Sequence, residues 1–272
     1  MAQNPNALLI EPEALEADLG APDLLVVDLS RPETYAQGHI PGAVHLDYTQ
    51  IIAASGPVKG LLPDAGGIAR LLSGMGATPQ TRVVSYDDEG GGRAARMLWT
   101  LAAYGHRYYA LLNGGLHAWA NEGHPLQGEI PEPRPSDYRP AYDGSVVADA
   151  AYIHAHLEDP GVVLLDTRSA EEYRGTDRRA ARGGHIPGAV HMEWTEAMDR
   201  DRNLRLKDPD WLVEQLASRG ITRDKEVITY CQTHHRSAHT WLWLQHLGFD
   251  RAKGYPGAWS EWGNRSDLPV EG

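Results

Sequence analysis

A single cysteine, Cys231, occurs in the 272 residues. No internal disulfide is possible, which fits a reducing compartment and makes the cytoplasm the expected location. Long apolar runs are missing too, and nothing approaches the roughly 20 residues needed to span a bilayer. The opening Met-Ala-Gln-Asn-Pro-Asn lacks the basic region and apolar core of a secretory signal. Basic charge is scarce: 25 Lys and Arg face 37 Asp and Glu, for a formal net charge of −12. That deficit argues against nucleic acid and anionic membrane surfaces, both of which select basic patches. A small anionic substrate answers to the local field and is not excluded.

The hydrophobic fraction, 42%, suffices for two ordinary cores. A chain of this length suggests two domains of about 130 residues, each large enough to fold without disulfides or a structural metal. Self-similarity supports that division. The first half carries Val26-Val27-Asp28-Leu29-Ser30-Arg31, Tyr35 and the run Gly38-His39-Ile40-Pro41-Gly42-Ala43-Val44-His45. The second carries Leu164-Leu165-Asp166-Thr167-Arg168-Ser169, Tyr173 and the identical run from Gly184 to His191. Asp and Tyr are seven positions apart both times, and an eight-residue, arginine-rich insertion lies between Tyr173 and Gly184. Val83-Val84-Ser85-Tyr86 parallels Val227-Ile228-Thr229-Tyr230, and Trp99 and Trp119 parallel Trp243 and Trp259. The proline-rich stretch 126–143 reads as an extended linker, with the boundary near residue 138: an N-terminal domain over 1–138 and a C-terminal domain over 139–272.

Within each half, short apolar strands alternate with amphipathic helices. In the second half strands are expected near 162–166, 189–192, 226–230 and 251–255. Helices are expected near 150–158, 169–174, 209–219, 236–247 and 257–263. The pattern predicts an α/β fold, a parallel sheet in each domain covered by helices on both faces. Ligand sites in such sheets lie beyond the carboxyl ends of the strands.

One strand end stands out. Glu226–Tyr230 runs into Cys231-Gln232-Thr233-His234-His235-Arg236, and a helix follows from Ser237. A helix N-terminus offers unpaired N–H groups and a favourable dipole, and Arg236, with His234 or His235 when protonated, adds cationic charge. These influences favour a thiolate, the nucleophilic form. A lone cysteine is otherwise most often an inert core residue, and the two histidines read equally well as solvated loop positions. A metal site from His235, His239 and Cys231 is the weaker reading, because it lacks a second ligand cluster and would block the thiolate.

The doubled Gly-His-Ile-Pro-Gly-Ala run, the Cys-x-x-x-x-Arg loop and the ending Trp259-Ser260-Glu261-Trp262-Gly263 with Leu268-Pro269-Val270-Glu271 resemble the tandem-domain rhodanese family, the thiosulfate sulfurtransferases. The resemblance runs from about residue 8 to 271, and the loop looks most like the bacterial single-cysteine branch. It implies a double displacement: the Cys231 thiolate takes the outer sulfur of thiosulfate, sulfite leaves, and cyanide or a thiol removes the persulfide sulfur. No cofactor or metal is implied. The family's persulfide cradle falls on Gln232, Thr233, His234, His235 and Arg236, with Arg236 the candidate to orient an anionic donor. Arg168 and Trp194 are secondary candidates. Arg168 reads more simply as an ion pair with Asp166 or Glu171, and Trp194 as core. Vertebrate members carry Arg-Lys-Gly-Val-Thr after the cysteine and mercaptopyruvate enzymes Gly-Ser-Gly-Val-Thr; this chain has neither. Where some members place an arginine before the tyrosine, it has Glu172.

Aligning Tyr86 with Tyr230 puts Asp87 at the cysteine position, followed by Asp88 and Glu89. A carboxylate cannot form a persulfide, and each acidic side chain repels an anionic donor by about 1 kcal/mol per close pair even in water. The N-terminal domain is expected to be catalytically inactive, with Arg93 and Arg96 available to neutralise the acidic cluster. The rival readings are a cysteine phosphatase, whose loop would place five residues between Cys and Arg, and a non-catalytic binding module, which need not keep Cys231. A third keeps the chemistry but delivers sulfur to a partner protein. The expected partners are a small anionic sulfur donor and a small-molecule or protein thiol acceptor, with the chain itself a monomer.

Overall fold

The computed structural model describes residues 7–272; the segment Met1–Asn6, and with it the signal-sequence expectation, lies outside the described residues. Two compact units emerge. The first comprises the described residues up to Ile51, Pro63–Asp143 and Met198–Leu206; the second comprises Ile52–Leu62, Gly144–Ala197 and Lys207–Gly272. Each unit thus includes a short segment taken from the other half of the sequence. Such an exchange has no signature in local composition.

The first unit is built on a five-stranded sheet in the spatial order Leu9–Ile10, Tyr109–Leu112, Arg82–Tyr86, Leu24–Asp28, Val44–His45. All its neighbouring strands are parallel. The second carries the four-stranded order Lys253–Gly254, Glu226–Tyr230, Val162–Asp166, Val190–His191, again wholly parallel. Strand 226–230 is buried along its whole length, as expected of a central strand covered on both faces. Helices flank both sheets, the longest being Gly92–Ala103 in the first and Arg236–His246 in the second. The expected helix spans hold to within a few residues at their ends: Ala150–Ala155, Ala170–Tyr173, Pro209–Ser218, Arg236–His246 and Ala258–Trp262. The stretch 131–143 forms neither helix nor strand.

The identical eight-residue run has the same physical job in both units. Ile-Pro-Gly-Ala closes a turn in which Ala43 N–H bonds to Ile40 C=O and Ala189 N–H to Ile186 C=O. Proline presets the first turn position, and the glycines adopt φ +78° and +73°, where a side chain would be strained. His39 stacks on Tyr35 at 3.9 Å, and His185 on Tyr173 at 3.7 Å. The tyrosine hydroxyls donate to Ala43 C=O at 2.9 Å and Ala189 C=O at 2.7 Å. The strand-end tyrosines accept from the same run: Ile40 N–H reaches Tyr86 Oη at 3.1 Å, and Ile186 N–H reaches Tyr230 Oη at 3.2 Å. The repeated motif is therefore a clamp between the strand ends and the adjoining helix, which explains its identity without invoking catalysis.

Each unit has its own apolar core. Val26, Ile40, Val84, Tyr86, Leu112 and Trp119 anchor the first; Leu164, Ile186, Ile228, Tyr230, Trp259 and Trp262 anchor the second. Among the described residues, no helix is long and apolar enough to cross a membrane.

Candidate active site at the end of strand 226–230

Cys231 follows the last residue of the central strand and precedes the helix that begins at Arg236, as the sequence pattern predicts. Its thiol is buried to 1% relative exposure. Burial, the strongest single influence, pushes the thiol pKa up. The Arg236 charge, the Ser237 hydroxyl and the backbone N–H groups of Ser237 and Thr233 together outweigh it, and the pKa falls to about 7. The thiolate is consequently accessible at neutral pH.

Arg236 is held in place from the opposite side. Its Nη1 and Nη2 lie 2.6 and 2.9 Å from the two carboxylate oxygens of Glu172. Burial raises the Glu172 pKa, but Arg236 dominates and keeps that carboxyl below its usual range. Glu172 is itself set by a capping box, in which Ser169 Oγ accepts the Glu172 N–H and Glu172 accepts the Ser169 N–H. The glutamate that departs from the family pattern therefore has a definite task. It fixes the guanidinium that faces the sulfur.

His234 departs from the solvated-loop reading. It is fully buried and adopts a left-handed backbone at φ +53°, and its Nδ1 sits 2.8 Å from Ser237 Oγ. If the single hydroxyl hydrogen of Ser237 goes to the sulfur, the imidazole must supply the other one, making His234 Nδ1 the donor. His235 is only half-buried and lies 6.0 Å, centroid to centroid, from Trp194, whose other neighbour is His239 at 5.8 Å. Trp194 belongs to this histidine cluster. His239 is buried, and desolvation drives its pKa down to about 4, so the ring is neutral near pH 7. The Gln232 side chain donates to Arg179 C=O at 3.1 Å, in the arginine-rich insertion.

Arg168 takes the structural alternative. It pairs with Asp166 at 2.6 Å with both side chains buried, donates to Gly184 C=O at 2.7 Å and stacks 4.5 Å above the Trp259 ring. Its side chain is almost wholly buried, at 1% relative exposure.

Three parts of the site escaped the sequence reading. Ser237 directly follows Arg236, and its place in the first turn of the helix was the available signal. Trp259 and Ser260 donate their backbone N–H groups to the carbonyls of Cys231 and Gln232, both at 3.0 Å. The hairpin Ala53–Leu61 belongs to this unit, with Lys59 N–H donating to Ser260 Oγ at 3.0 Å. No local pattern connects residues 201 positions apart.

A doubly wound parallel sheet with a recessed cysteine of lowered pKa in a strand-to-helix loop defines the class. Residues 11–122 and 149–265 match the rhodanese-like domain family, and the chain belongs to that family. It is 45% identical to a thiosulfate sulfurtransferase of Azotobacter vinelandii, over 97% of both chains. It is 44% identical to one from Pseudomonas aeruginosa, again over 97% of each. The crystal structure of YnjE shares the fold with a TM-score of 0.88 at 21% identity, covering 98% of this chain and 69% of that one.

Proposed function

We propose that this protein is a sulfurtransferase that moves a sulfane sulfur from thiosulfate, or a related donor, to a thiophilic acceptor through a persulfide on Cys231. The observation that carries the reading is the buried Cys231 thiol at the strand-to-helix turn, beside Arg236 and Ser237, which lower its pKa. The thiolate attacks the outer sulfur of the donor. A new S–S bond forms, the S–S bond of thiosulfate breaks, and sulfite leaves with the bonding pair. Cyanide or a thiol then attacks the terminal sulfur, and the Cys231 thiolate departs. A donor with a narrow terminal sulfur suits so recessed a nucleophile.

The groups that hold the thiolate, namely Thr233 N–H, Ser237 N–H, Ser237 Oγ and Arg236, would equally hold the anionic persulfide sulfur. Arg236 would serve mainly in this way, since Glu172 already occupies both arms of its fork; a share in donor orientation rests on whatever of its charge Glu172 leaves. His234 would support the cradle through Ser237, and His235 with Trp194 would line its side. Gln232 would contribute its backbone. Arg168 would be structural. The N-terminal domain, divided from the catalytic one within the linker 126–143, would be catalytically inactive, because Asp87 stands where a thiol is needed. We place the protein in the cytoplasm, where its only thiol stays reduced, and as a monomer.

Initial rates with thiosulfate and cyanide varied together test this. Parallel double-reciprocal lines, with one sulfite and one thiocyanate per turnover, are expected for a two-step cycle. Hydrolysis of an aryl phosphate with no thiocyanate formed would reverse the choice in favour of phosphoryl chemistry.

A further inference from the structure

We infer that the hairpin Ala53–Leu61 is a positioning element for the Cys231 thiolate, acting through Gly60 on the carbonyl of Thr233. The inference rests on the site described above, and only its activity arm depends on the sulfurtransferase reading.

Within the hairpin, Leu61 opposes Ala53 and Lys59 opposes Ala54, so Gly60 is an extra residue at a register shift. A bulge of this kind suits a glycine in the left-handed region, and Gly60 has φ +84°. The bulge brings Gly60 against the active loop. A methyl group there would lie 2.1 Å from the Thr233 carbonyl oxygen and 2.7 Å from its carbon. Both are backbone atoms, so neither can swing aside as a side-chain tip would. Ser260 holds the hairpin at this distance: its hydroxyl accepts Lys59 N–H at 3.0 Å and lies 3.0 Å from Lys59 C=O.

The consequence follows from peptide geometry. In a trans peptide the C=O of one residue points opposite to the N–H of the next. Cys231 C=O and Gln232 C=O are held from outside by Trp259 N–H and Ser260 N–H. Holding Gln232 C=O outward aims Thr233 N–H inward, and that N–H is one of the groups lowering the thiol pKa. Gly60 continues the pattern at the next peptide, where it sets Thr233 C=O and therefore the His234 N–H. A bulkier residue at 60 must push this peptide, and with it the ring of donors around the sulfur. Gly60 is thus a positioning residue that never touches the sulfur.

The test is the pH dependence of Cys231 alkylation by iodoacetamide in the full chain. Wild type should titrate near 7. Gly60→Ala and Gly60→Asn should both move the midpoint upward by about one unit, toward the ordinary thiol value of about 8.5. Asn tolerates left-handed backbone, so a shift shared by both variants reports collision and not φ strain. Gly56→Ala is the control: Gly56 sits in the same hairpin at φ +57° with nothing within 4 Å of the added carbon, and it should leave the midpoint in place. Ser260→Ala, which loosens the latch, should give a smaller upward shift. Sulfur transfer by the Gly60 variants should fall about fivefold at neutral pH and largely recover at pH 9, as the thiol ionises. Folded Gly60 variants with an unmoved midpoint, or Gly56→Ala moving it as far, overturn the inference. Should the Gly60 variants fail to fold, an unmoved midpoint in Ser260→Ala overturns it. A shifted midpoint in a protein that transfers no sulfur would sink the functional reading and leave this one standing.

Discussion

The two strand ends of this chain follow one backbone plan and hold opposite chemistry. In the second unit the loop after Tyr230 gathers N–H groups around a thiol. In the first, the loop after Tyr86 gathers them around the carboxyl group of Asp87, which accepts from Glu89 N–H at 3.0 Å, Gly91 N–H at 2.8 Å and Ala94 N–H at 3.0 Å. The bond that closes each loop shows that Ala94 corresponds to Ser237, since Ser85 Oγ donates to Ala94 C=O and Thr229 Oγ1 to Ser237 C=O. Counted this way, the first loop is one residue longer. Its cradle is full: a two-oxygen group sits where the other unit keeps one sulfur. Around it, Asp88 pairs with Arg31 at 3.1 Å and Arg93 at 3.4 Å, and Glu89 pairs with Arg93 at 3.3 Å. Arg93 thus neutralises the acidic cluster as expected, whereas Arg96 is buried over the Trp99 ring.

One strand away the contrast repeats. Asp166 is paired with the buried Arg168, while its counterpart Asp28 has Ser30 in the corresponding position and, among the described residues, no Lys or Arg ion pair. Burial pushes the Asp28 pKa up. The difference teaches that both units keep the carboxyl at this strand end as a hydrogen-bond acceptor, and only the second adds a guanidinium to it.

Substitutions can break this comparison, and the largest effect belongs to the sulfur itself. Cys231→Ala should abolish transfer, by at least about 10³-fold, while thermal unfolding moves by no more than a few degrees. Next comes the carboxyl pair. Asp166→Asn leaves Arg168 buried without its partner and should cost about 3–5 kcal/mol in urea unfolding. Asp28→Asn should stay within about 1 kcal/mol, since an amide oxygen can still accept the Ser30 N–H. Asp28 also brings a pH dependence of its own, because burial raises its pKa. A carboxyl with a raised folded pKa loses stability as pH climbs from its unfolded value, about 3.9, through the folded one, and Asp28→Asn should remove that loss. Equal costs for the two substitutions would end the comparison.

Arg236→Ala should be third. It strands the buried Glu172 and removes the main cation beside the thiol, so we expect a loss of about 2–4 kcal/mol in stability together with an upward shift of the alkylation midpoint. Unchanged alkylation would show that the amides alone suffice. Lowering the pH of the wild type from 7 to 6 protonates most of the thiolate and should slow alkylation about fivefold, given a pKa of about 7. Smallest is Asp87→Ala, which empties the first cradle and should leave sulfur transfer within about twofold, as for independent sites. A larger drop would mean that the silent loop supports the active one.

Much of this was legible in the sequence because it is local or repeated. Strand 226–230, the helix after it and Cys231 between them are read from apolar patterning and loop position. Asp87 follows from aligning the repeats. Arg168 with Asp166 is a two-residue spacing at a strand end. The rest depends on contacts between distant parts of the chain: Gly60 on Thr233, Ser260 on Lys59, Met198–Leu206 joining the first unit. His234 stayed open between cradle and solvated loop, because a buried, left-handed histidine inside a loop has the same local sequence as a solvated one. Glu172 was visible as a departure from the family pattern, but its role needed the guanidinium of Arg236 in place.

The central claim is that residue 231 accepts and releases one labile sulfur. Intact-mass measurement of the full chain after thiosulfate, and again after cyanide, addresses it directly. A gain of one sulfur atom that cyanide removes, absent in Cys231→Ala, is the expected result; an unchanged mass after thiosulfate, with the thiol still free to alkylate, would contradict it.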